Sequence, residues 1–212
     1  MGYQPSYQYI PPIKWAVLTP IYDLFCTITG FGKKFRKKVL RAATLQGNEV
    51  AIDIGCGTGV FLRFAKTMYR NLHLIGVDPD TLALSIAKRR FAEAGLQIEL
   101  KQGFAESLPI PDASIDICFS TLVFHHLPDD IKKRTIQEIY RVLKHGGKVV
   151  IADFGKRTGI IVRLYAIIFE KLEYIRGNLK GVIPQYLEEI GFKNTTIAEK
   201  HFLAIDIIVA WK

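Results

Sequence analysis

The segment VAIDIGCGTG, from Val50 to Gly59, constrains the fold of this chain more than any other. Its apolar run Val50–Ile54 indicates a buried strand, and three glycines follow at alternate positions. Glycine adopts backbone conformations that other residues avoid, so this spacing predicts a tight turn that lets a ligand approach the backbone closely. Apolar residues then recur at helical spacing from Phe61 to Met68. A helix that starts at such a turn offers unpaired N–H groups, so the segment predicts a ligand-binding site.

The rest of the chain repeats this alternation of short strands and amphipathic helices. Further strands are predicted at His73–Val77, Gln97–Lys101, Ile115–Ser120 and Lys148–Phe154, with a hairpin of Phe192–Ala198 and Phe202–Trp211 at the end. A helix capped by Asp129 or Asp130 and ended by Gly146-Gly147 is expected before the fifth strand, and a last helix at Pro184–Ile190.

This alternation predicts an α/β fold, because strands joined by helices form a parallel sheet covered on both faces. Right-handed crossovers make such a sheet doubly wound. We therefore expect a mostly parallel, seven-stranded, Rossmann-like sheet with a C-terminal antiparallel hairpin, preceded by an N-terminal helical lid. Ligands of such sheets bind beyond the carboxyl ends of the strands, so the residues after each strand are the candidate site.

Two acidic residues beside the glycine turn indicate the kind of ligand. The spacing G-x-G-x-G, with Val at position 60, departs from the G-x-G-x-x-G pattern of dinucleotide sites. Asp53 precedes the turn, where a carboxylate repels phosphate and attracts an ammonium group. Asp78 ends the second strand, where a carboxylate can accept two hydrogen bonds from a ribose diol; Asp80 is then free to cap the following helix. Together these features favour an amino-acid-bearing nucleoside, S-adenosylmethionine.

Five segments carry a resemblance to a known family. They are Val50–Gly59, Ile75–Pro79, Gly103–Pro111 (GFAESLPIP), Asp116–Pro128 (DICFSTLVFHHLP) and Val142–Asp153 (VLKHGGKVVIAD). With them the chain resembles the class I S-adenosylmethionine-dependent methyltransferases, most closely the group that contains the ubiquinone and menaquinone biosynthesis C-methyltransferases. The resemblance covers roughly residues 50–155 and implies the cofactor and the fold, but it does not identify the methyl acceptor.

The resemblance also implies roles for individual residues. Asp53 and the loop of Gly55, Cys56, Gly57 and Gly59 would hold the methionine moiety; Asp78 and Pro79 would hold the ribose; Phe104, Ala105 and Glu106 would line the adenine; Ser120 and Thr121 would flank the sulfonium; Tyr22 would close over the cofactor. Phe104 is a departure, because the family often has Asp there, and Phe104 would then supply a ring contact instead. No metal ligands are implied.

His125 and His126 follow the fourth strand, near the expected position of the methyl acceptor. Histidine is the side chain best suited to act as a base near neutral pH. Methyl transfer depends mainly on positioning, however, and needs a deprotonated acceptor. Both readings therefore remain open: a catalytic base or acceptor contact, and a structural or cofactor-lining role.

The formal charge of +9 lies entirely in two segments. Residues 1–49 carry seven basic and two acidic residues, residues 156–180 carry six and two, and the remainder is balanced. Both segments are also rich in large apolar residues. We therefore predict an N-terminal helical lid at 1–49 and a cofactor-binding domain at 50–212, in which 156–180 forms a basic, apolar cap. Basic helices with a broad apolar face suit a lipid-like ligand or an anionic membrane surface, although a solvated basic face over a packed cap is the alternative.

The predicted function is methyl transfer to a hydrophobic small molecule or lipid-like acceptor, such as a quinone, a phenol or a lipid headgroup. An RNA methyltransferase and a non-catalytic cofactor-binding regulator are the alternatives. Nucleic acid is disfavoured because Ser120-Thr121-Leu122-Val123-Phe124 lacks the Pro-Pro-aromatic run of amino-directed nucleic-acid enzymes. Three cysteines cannot form a disulfide framework, so a cytoplasmic protein is expected, with peripheral membrane contact through the basic segments. The sequence does not give the oligomeric state.

Overall fold

The computed structural model describes residues 32–156, 174–201 and 205–212. The helices are α1 (Lys33–Ala42), α2 (Val60–Met68), α3 (Thr81–Glu93), α4 (Asp129–Val142), α5 (Ile175–Lys180) and α6 (Val182–Ile190), with a 3₁₀ turn at Phe124–His126. The strands are β1 (Val50–Ile54), β2 (His73–Asp78), β3 (Glu99–Gln102), β4 (Ile115–Thr121), β5 (Leu143–Phe154), β6 (Lys193–His201) and β7 (Ile205–Trp211).

The seven strands form one sheet in the order β3-β2-β1-β4-β5-β7-β6. The first five strands pair in parallel, and β7 pairs antiparallel with both β5 and β6. The strand order reverses between β1 and β4, and their register places Ile54 beside Ser120. The predicted α/β sheet and its C-terminal hairpin are confirmed.

Helices cover both faces of the sheet, and successive side chains along each strand point to one face and then to the other. On one face, α1, α2, α3 and α5 pack on a core that includes Ala51 and Phe119. On the other face, α4 and α6 pack on a core that includes Ile52 and Cys118. Because successive strand side chains point to opposite faces, strands buried on both sides read as continuous apolar runs, which explains the run at Val50–Ile54.

Helix α1 spans the sheet from its carboxyl edge to its opposite edge. The ring of Phe35 lies 5.1 Å from the ring of His201. His201 pairs with Ile205, and Ile205 pairs with Phe154 at the carboxyl end of β5. At the other end of α1, Lys148 Nζ donates to Thr44 Oγ1 at 2.8 Å. The basic start of α1 therefore lies at the edge where the glycine turn and the histidines lie.

Three local predictions were wrong. Neither Asp129 nor Asp130 caps α4 through its side chain, since Pro128 is the N-cap and both acids lie in the first turn, where they still oppose the positive end of the helix dipole. Helix α4 ends at Val142, and Gly146-Gly147 fall within β5, at an irregularity in its register with β4. The third strand begins at Glu99, two residues later than expected.

Two features of the C-terminal part were not predicted. Helix α6 starts at Val182, two residues before the expected Pro184, and a further helix, α5, precedes it. Ile175 and Leu179 of α5 are buried in the core, so this end of segment 156–180 is part of the packed fold. The domain boundary at residue 49 and the cap at 156–180 remain predictions, since residues 1–31 and 157–173 lie outside the described residues.

Within the described part of the chain, no helix combines the length and the apolar character needed to cross a bilayer.

Candidate functional site

The glycine turn joins β1 to α2 through left-handed backbone at every second residue. Gly55, Gly57 and Gly59 have φ values of +73°, +52° and +74°. The N–H groups of Gly55 and Cys56 both donate to the Val77 carbonyl, which ties the turn to the end of β2. A Cβ on Gly57 would meet no atom within 4 Å, so this position faces open space. The turn therefore leaves a concave backbone surface beside the two predicted acids.

Asp53 is a buried carboxylate at the end of β1. It is 1% exposed, and its Oδ1 has no hydrogen-bond partner among the described residues. Burial raises the pKa of Asp53 well above its usual range, and the negative charge of Asp78 raises it further. A buried carboxyl held in this way has a strong preference for a cationic partner, because a positive charge nearby would offset the cost of ionising it.

Asp78 connects the second strand to the glycine turn. Its Oδ2 accepts from the Gly57 N–H at 2.8 Å and its Oδ1 accepts from the Asp80 N–H at 2.9 Å. Burial raises its pKa, although these two backbone donors oppose the rise. Asp80 caps α3 instead, accepting from Leu82 and Ala83, as the sequence predicted. Asp78 therefore shapes the turn as well as presenting its remaining lone pairs to a ligand.

The predicted adenine segment lies beside Asp78. The Gly103 N–H donates to the Asp78 carbonyl at 3.2 Å, and a short bridge joins Phe104 to Ser107. Phe104 and Ala105 are half-buried and Glu106 is buried. Pro79, whose carbonyl accepts from Gln102 Nε2, is half-buried on the same side. The fold thus brings the residues predicted for ribose and adenine into one region.

The chain turns sharply after the end of β4. Ser120 is buried beside Ile54, and its Oγ has no partner among the described residues. Thr121 is half-buried, and Leu122 has a φ of +60°, a left-handed conformation that is costly for a residue with a Cβ. Val123 then packs against Gly55, where a Cβ would lie 2.4 Å from Val123 Cγ2. Residue 55 is therefore glycine for two reasons: its φ is positive, and a Cβ at this position would clash with Val123.

The two histidines occupy different environments in the 3₁₀ turn. His125 is buried, and its Nδ1 lies 3.0 Å from Asp153 Oδ1. His126 reaches solvent on one side, with its ring centroid 4.0 Å from that of His125. The protein around His126 still desolvates its ring, and together with the neighbouring His125 this lowers its pKa to about 4, against a smaller opposing effect of Asp153. His126 is therefore neutral at physiological pH.

Sequence reasoning missed two residues of this region, Asp153 and Asn178. Asp153 is the penultimate residue of β5 and is 0% exposed, and Asn178, from the unpredicted helix α5, donates to its Oδ1 at 2.9 Å. An acid inside an otherwise apolar strand, as in VVIADF, is the signal that could have identified Asp153.

Neither cysteine of the described core suits nucleophilic catalysis. Burial raises the pKa of the Cys56 thiol, as do the negative charges of Asp53 and Asp78, and burial raises that of Cys118. Both therefore remain thiols, and Cys118 is a core residue as predicted. No group of three or more His, Cys, Asp or Glu placed to hold a metal ion occurs in the described ranges. Tyr22 lies outside those ranges, and its predicted role stays a prediction.

Similarity to known proteins identifies the family. A family model described as a methyltransferase domain matches residues 51–147. A demethylmenaquinone methyltransferase of Lactobacillus johnsonii is 33% identical over 207 residues, which span 86% of this chain and 84% of that protein. The chain belongs to the class I S-adenosylmethionine-dependent methyltransferases.

Two further proteins support the assignment of this chain to the family. The ubiquinone/menaquinone biosynthesis C-methyltransferase of a Geobacter species is 29% identical over 161 residues, 73% of this chain and 68% of that protein. Phosphoethanolamine N-methyltransferase 2 of Haemonchus contortus, solved in complex with S-adenosyl-L-methionine, superposes with a TM-score of 0.69 at 26% identity. That match covers 80% of this chain but 39% of the nematode protein. The enzyme is an S-adenosylmethionine-dependent methyltransferase, as the sequence predicted.

The residues present fit this cofactor. Asp53 Oδ1 and Ser120 Oγ are buried polar atoms without partners among the described residues, and the backbone at Gly57 faces open space. A zwitterionic amino acid joined to a nucleoside supplies a cation for Asp53 and hydroxyl donors for Asp78. We therefore propose that Asp53, the glycine turn, Asp78 and the segment 104–106 would hold it.

Cofactor affinity is expected to rise with pH because of Asp53. The pKa of this buried carboxyl is raised in the free protein, and a bound ammonium group favours its ionised form, so binding releases a proton. Affinity should increase as pH rises toward the free-state pKa of Asp53 and then level off. Calorimetry of S-adenosylhomocysteine binding in buffers of different ionisation enthalpy measures this proton release directly.

Asp53→Asn is the matched variant for this effect. It should weaken binding and abolish the proton release, while raising the melting temperature of the unliganded protein. This sign follows because the pKa of Asp53 is higher in the folded state than in the unfolded state. Between those two pKa values the unfolded state has lost the proton while the folded state still holds it, so Asp53 lowers the stability of the folded state increasingly as the pH rises. Proton release that persists in Asp53→Asn would contradict this account.

Proposed function

We propose that this methyltransferase transfers the methyl group to a ring carbon of a quinone-type acceptor in its reduced, hydroxylated form. The observation that carries the proposal is the extent of the similarity to the demethylmenaquinone methyltransferase, which spans 86% of the chain and so reaches well beyond residues 51–147. A relative whose name specifies C-methylation of quinone precursors supports the choice of carbon.

The acceptor would bind on the side of the site away from the ribose and adenine residues. There β4 ends in the turn that carries His125 and His126, next to Asp153. S-adenosylmethionine, when bound, supplies an electrophilic methyl group on a sulfonium. An aromatic ring carbon becomes nucleophilic when a neighbouring hydroxyl loses its proton, and a neutral imidazole on this side is suited to take that proton.

Methyl transfer from labelled S-adenosylmethionine tests the acceptor. The label is expected in a demethylated naphthoquinol with an isoprenoid tail, and not in phosphatidylethanolamine or transfer RNA. Mass spectrometry of the product should place the methyl on carbon. Asp78→Ala serves as the inactive control. Label in the phospholipid or RNA, with none in the quinol, would overturn the proposal and favour one of the other acceptor classes.

We further propose that the start of α1 contacts an anionic membrane, where a tailed quinol resides. Lys33, Lys34 and Lys37 are exposed and have no ionic partner among the described residues. Lys38 and Arg41 on the same helix instead pair with Glu199. The unpaired lysines begin at the carboxyl edge of the sheet, so they would hold that edge toward the lipid headgroups. Electrostatic attraction of this kind contributes about 1 kcal/mol per basic residue near the surface.

Replacing Lys33, Lys34 and Lys37 together with glutamine is expected to weaken binding to vesicles that contain phosphatidylglycerol by roughly 100-fold, the effect of three such charges. Vesicle flotation at low and high salt measures this. The matched control replaces Arg70, Lys88 and Lys193, which are exposed elsewhere, and so changes the net charge equally. Equal loss of vesicle binding in both triple variants would mean that binding depends only on net charge. If the wild type does not float with the vesicles, the protein binds its acceptor from solution.

A further inference from the structure

A buried polar cluster lies at the carboxyl end of β5, apart from the residues that would hold the cofactor. Asp153 Oδ1 has three hydrogen-bond partners there: the Phe154 N–H at 2.7 Å and Asn178 Nδ2 at 2.9 Å, which both donate to it, and His125 Nδ1 at 3.0 Å. The three partners come from β5, from α5 and from the 3₁₀ turn. Asp153 therefore joins three elements at one oxygen atom, which fixes the ring of His125 in direction as well as in distance.

Asp153 carries a negative charge at neutral pH. Burial alone would raise its pKa, but the interaction with His125, foremost, and the hydrogen bond from the Phe154 N–H outweigh burial and lower it. A carboxylate can only accept, so the proton between the two side chains belongs to His125 Nδ1. This hydrogen bond uses Nδ1, which leaves the other ring nitrogen, Nε2, available for another partner.

Titratable groups from the 3₁₀ turn, β7 and α4 lie near this pair in the described part of the chain. His126 lies beside His125 in the turn, and Asp206 of β7 is the cross-strand partner of Asp153. From α4, the buried Lys132 lies close enough for the charge of Asp153 to act on it, but its Nζ bonds Asp129 Oδ1 at 2.6 Å and the Tyr174 carbonyl at 2.8 Å. Lys132 therefore anchors the start of α5 without contacting His125.

We propose that Asp153, itself held by Asn178, is a positioning residue that keeps His125 in the tautomer with Nε2 free, so that His125 is the base for the acceptor hydroxyl. This rests on the proposed function, since it requires an acceptor with an ionisable hydroxyl. His126 is exposed, and no carboxylate among the described residues is hydrogen-bonded to its ring to orient it. The arrangement follows the general logic of an acid that orients a histidine and stabilises the imidazolium that forms.

With a quinol as acceptor, the reaction begins at the hydroxyl group. The acceptor O–H bond breaks, its proton goes to His125 Nε2, and the electron pair moves through the oxygen into the ring. The ring carbon takes the methyl group from the sulfonium sulfur, which keeps the electron pair of the broken bond. Loss of the ring-carbon proton to water and return of the Nε2 proton to oxygen restore the hydroxylated aromatic ring. One proton is released per methyl group transferred.

The test compares Asp153→Asn, His125→Gln and Lys132→Met in the full-length protein. Asp153→Asn keeps the shape of the side chain and removes its charge, so we expect kcat to fall by roughly 100-fold, within the usual range for general base catalysis, with cofactor Kd unchanged. The loss should shrink with quinols whose hydroxyl is more acidic, because these need less help from a base. Asp153→Glu should restore part of the rate, and Asn178→Ala should have a smaller effect in the same direction.

Lys132→Met is the structural control, because it loosens α5 without touching His125. A fall in kcat that tracks the melting temperature in all three variants, and that does not depend on acceptor acidity, would assign Asp153 a purely structural role. Wild-type kcat in Asp153→Asn or His125→Gln would equally overturn the proposal.

A second readout does not depend on the acceptor. In protein labelled with ¹⁵N-histidine, the signals of His125, assigned by their absence in His125→Gln, should show Nδ1 protonated and Nε2 unprotonated, and Asp153→Asn should disturb this pattern. If the wild type methylates no quinol but this tautomer is found, the acceptor assignment fails while the positioning role of Asp153 stands. If the opposite tautomer is found, the positioning role fails whatever the acceptor.

Discussion

Asp78→Ala is expected to reduce the affinity for S-adenosylmethionine and S-adenosylhomocysteine by about 100-fold or more. The carboxylate accepts from the N–H groups of Gly57 and Asp80, and hydrogen bonds to a charged group contribute about 1.5–3 kcal/mol each. Its loss both releases the glycine turn and removes the acceptor expected to bind the ribose hydroxyls. Isothermal calorimetry with S-adenosylhomocysteine measures the change.

Asp80→Ala is the matched control, two residues along the chain. Asp80 is the N-cap of α3, so its replacement should lower the free energy of unfolding by about 1 kcal/mol and leave cofactor affinity within a few-fold of wild type. If Asp78→Ala bound the cofactor as tightly as Asp80→Ala, Asp78 could not be a cofactor ligand, and the site assignment would fail with it.

Among the variants proposed here, Gly59→Ala is expected to lower the free energy of unfolding most. A Cβ at this position would lie 2.4 Å from Phe91 Cζ and 3.0 Å from Ala87 Cβ, and φ is +74°. Both neighbours are buried in the core, so the ring of Phe91 cannot move aside freely. Left-handed strain of about 1–2 kcal/mol and overpacking of about 1–3 kcal/mol together predict a loss of roughly 2–5 kcal/mol. Urea unfolding of the unliganded protein measures it.

Two other glycines separate the causes of this loss. Gly57 and Gly95 also have positive φ, but a Cβ on either would meet no atom within 4 Å. Alanine at either position should therefore cost only about 1–2 kcal/mol of stability. Gly57→Ala should in addition weaken cofactor binding strongly, because it fills the space beside the turn, whereas Gly95→Ala at the end of α3 should bind normally. Equal stability losses at all three glycines would show that the contact with Phe91 contributes nothing.

Much of the cofactor side could be predicted because its residues are close in sequence or follow neighbouring strands. The run Val50–Ile54 and the glycines after it specify a strand and a left-handed turn by local chemistry alone. Asp78 could be placed beside the turn because β1 and β2 are parallel neighbours, whose carboxyl ends meet at one edge.

The acceptor side depended on contacts that local sequence does not encode. Asn178 lies 25 residues beyond Asp153, across a segment whose apolar, basic composition suggested a cap rather than a core helix. The short helix α5 forms because Ile175 and Leu179 bury in the core, not because of helix propensity or capping. Likewise, local sequence does not distinguish the two adjacent histidines, because the difference between them is the hydrogen bond that only His125 forms with Asp153.

The sequence by itself determined the fold class, the cofactor and the residues around the glycine turn, since strand periodicity, positive-φ glycines and strand-end acids are local properties with direct structural meaning. Only the tertiary structure decided which histidine is oriented and by what. The hydrogen bonds of Asp153 bring together β5, the 3₁₀ turn and α5, and the identity of a buried acid's partners is set by packing between distant segments.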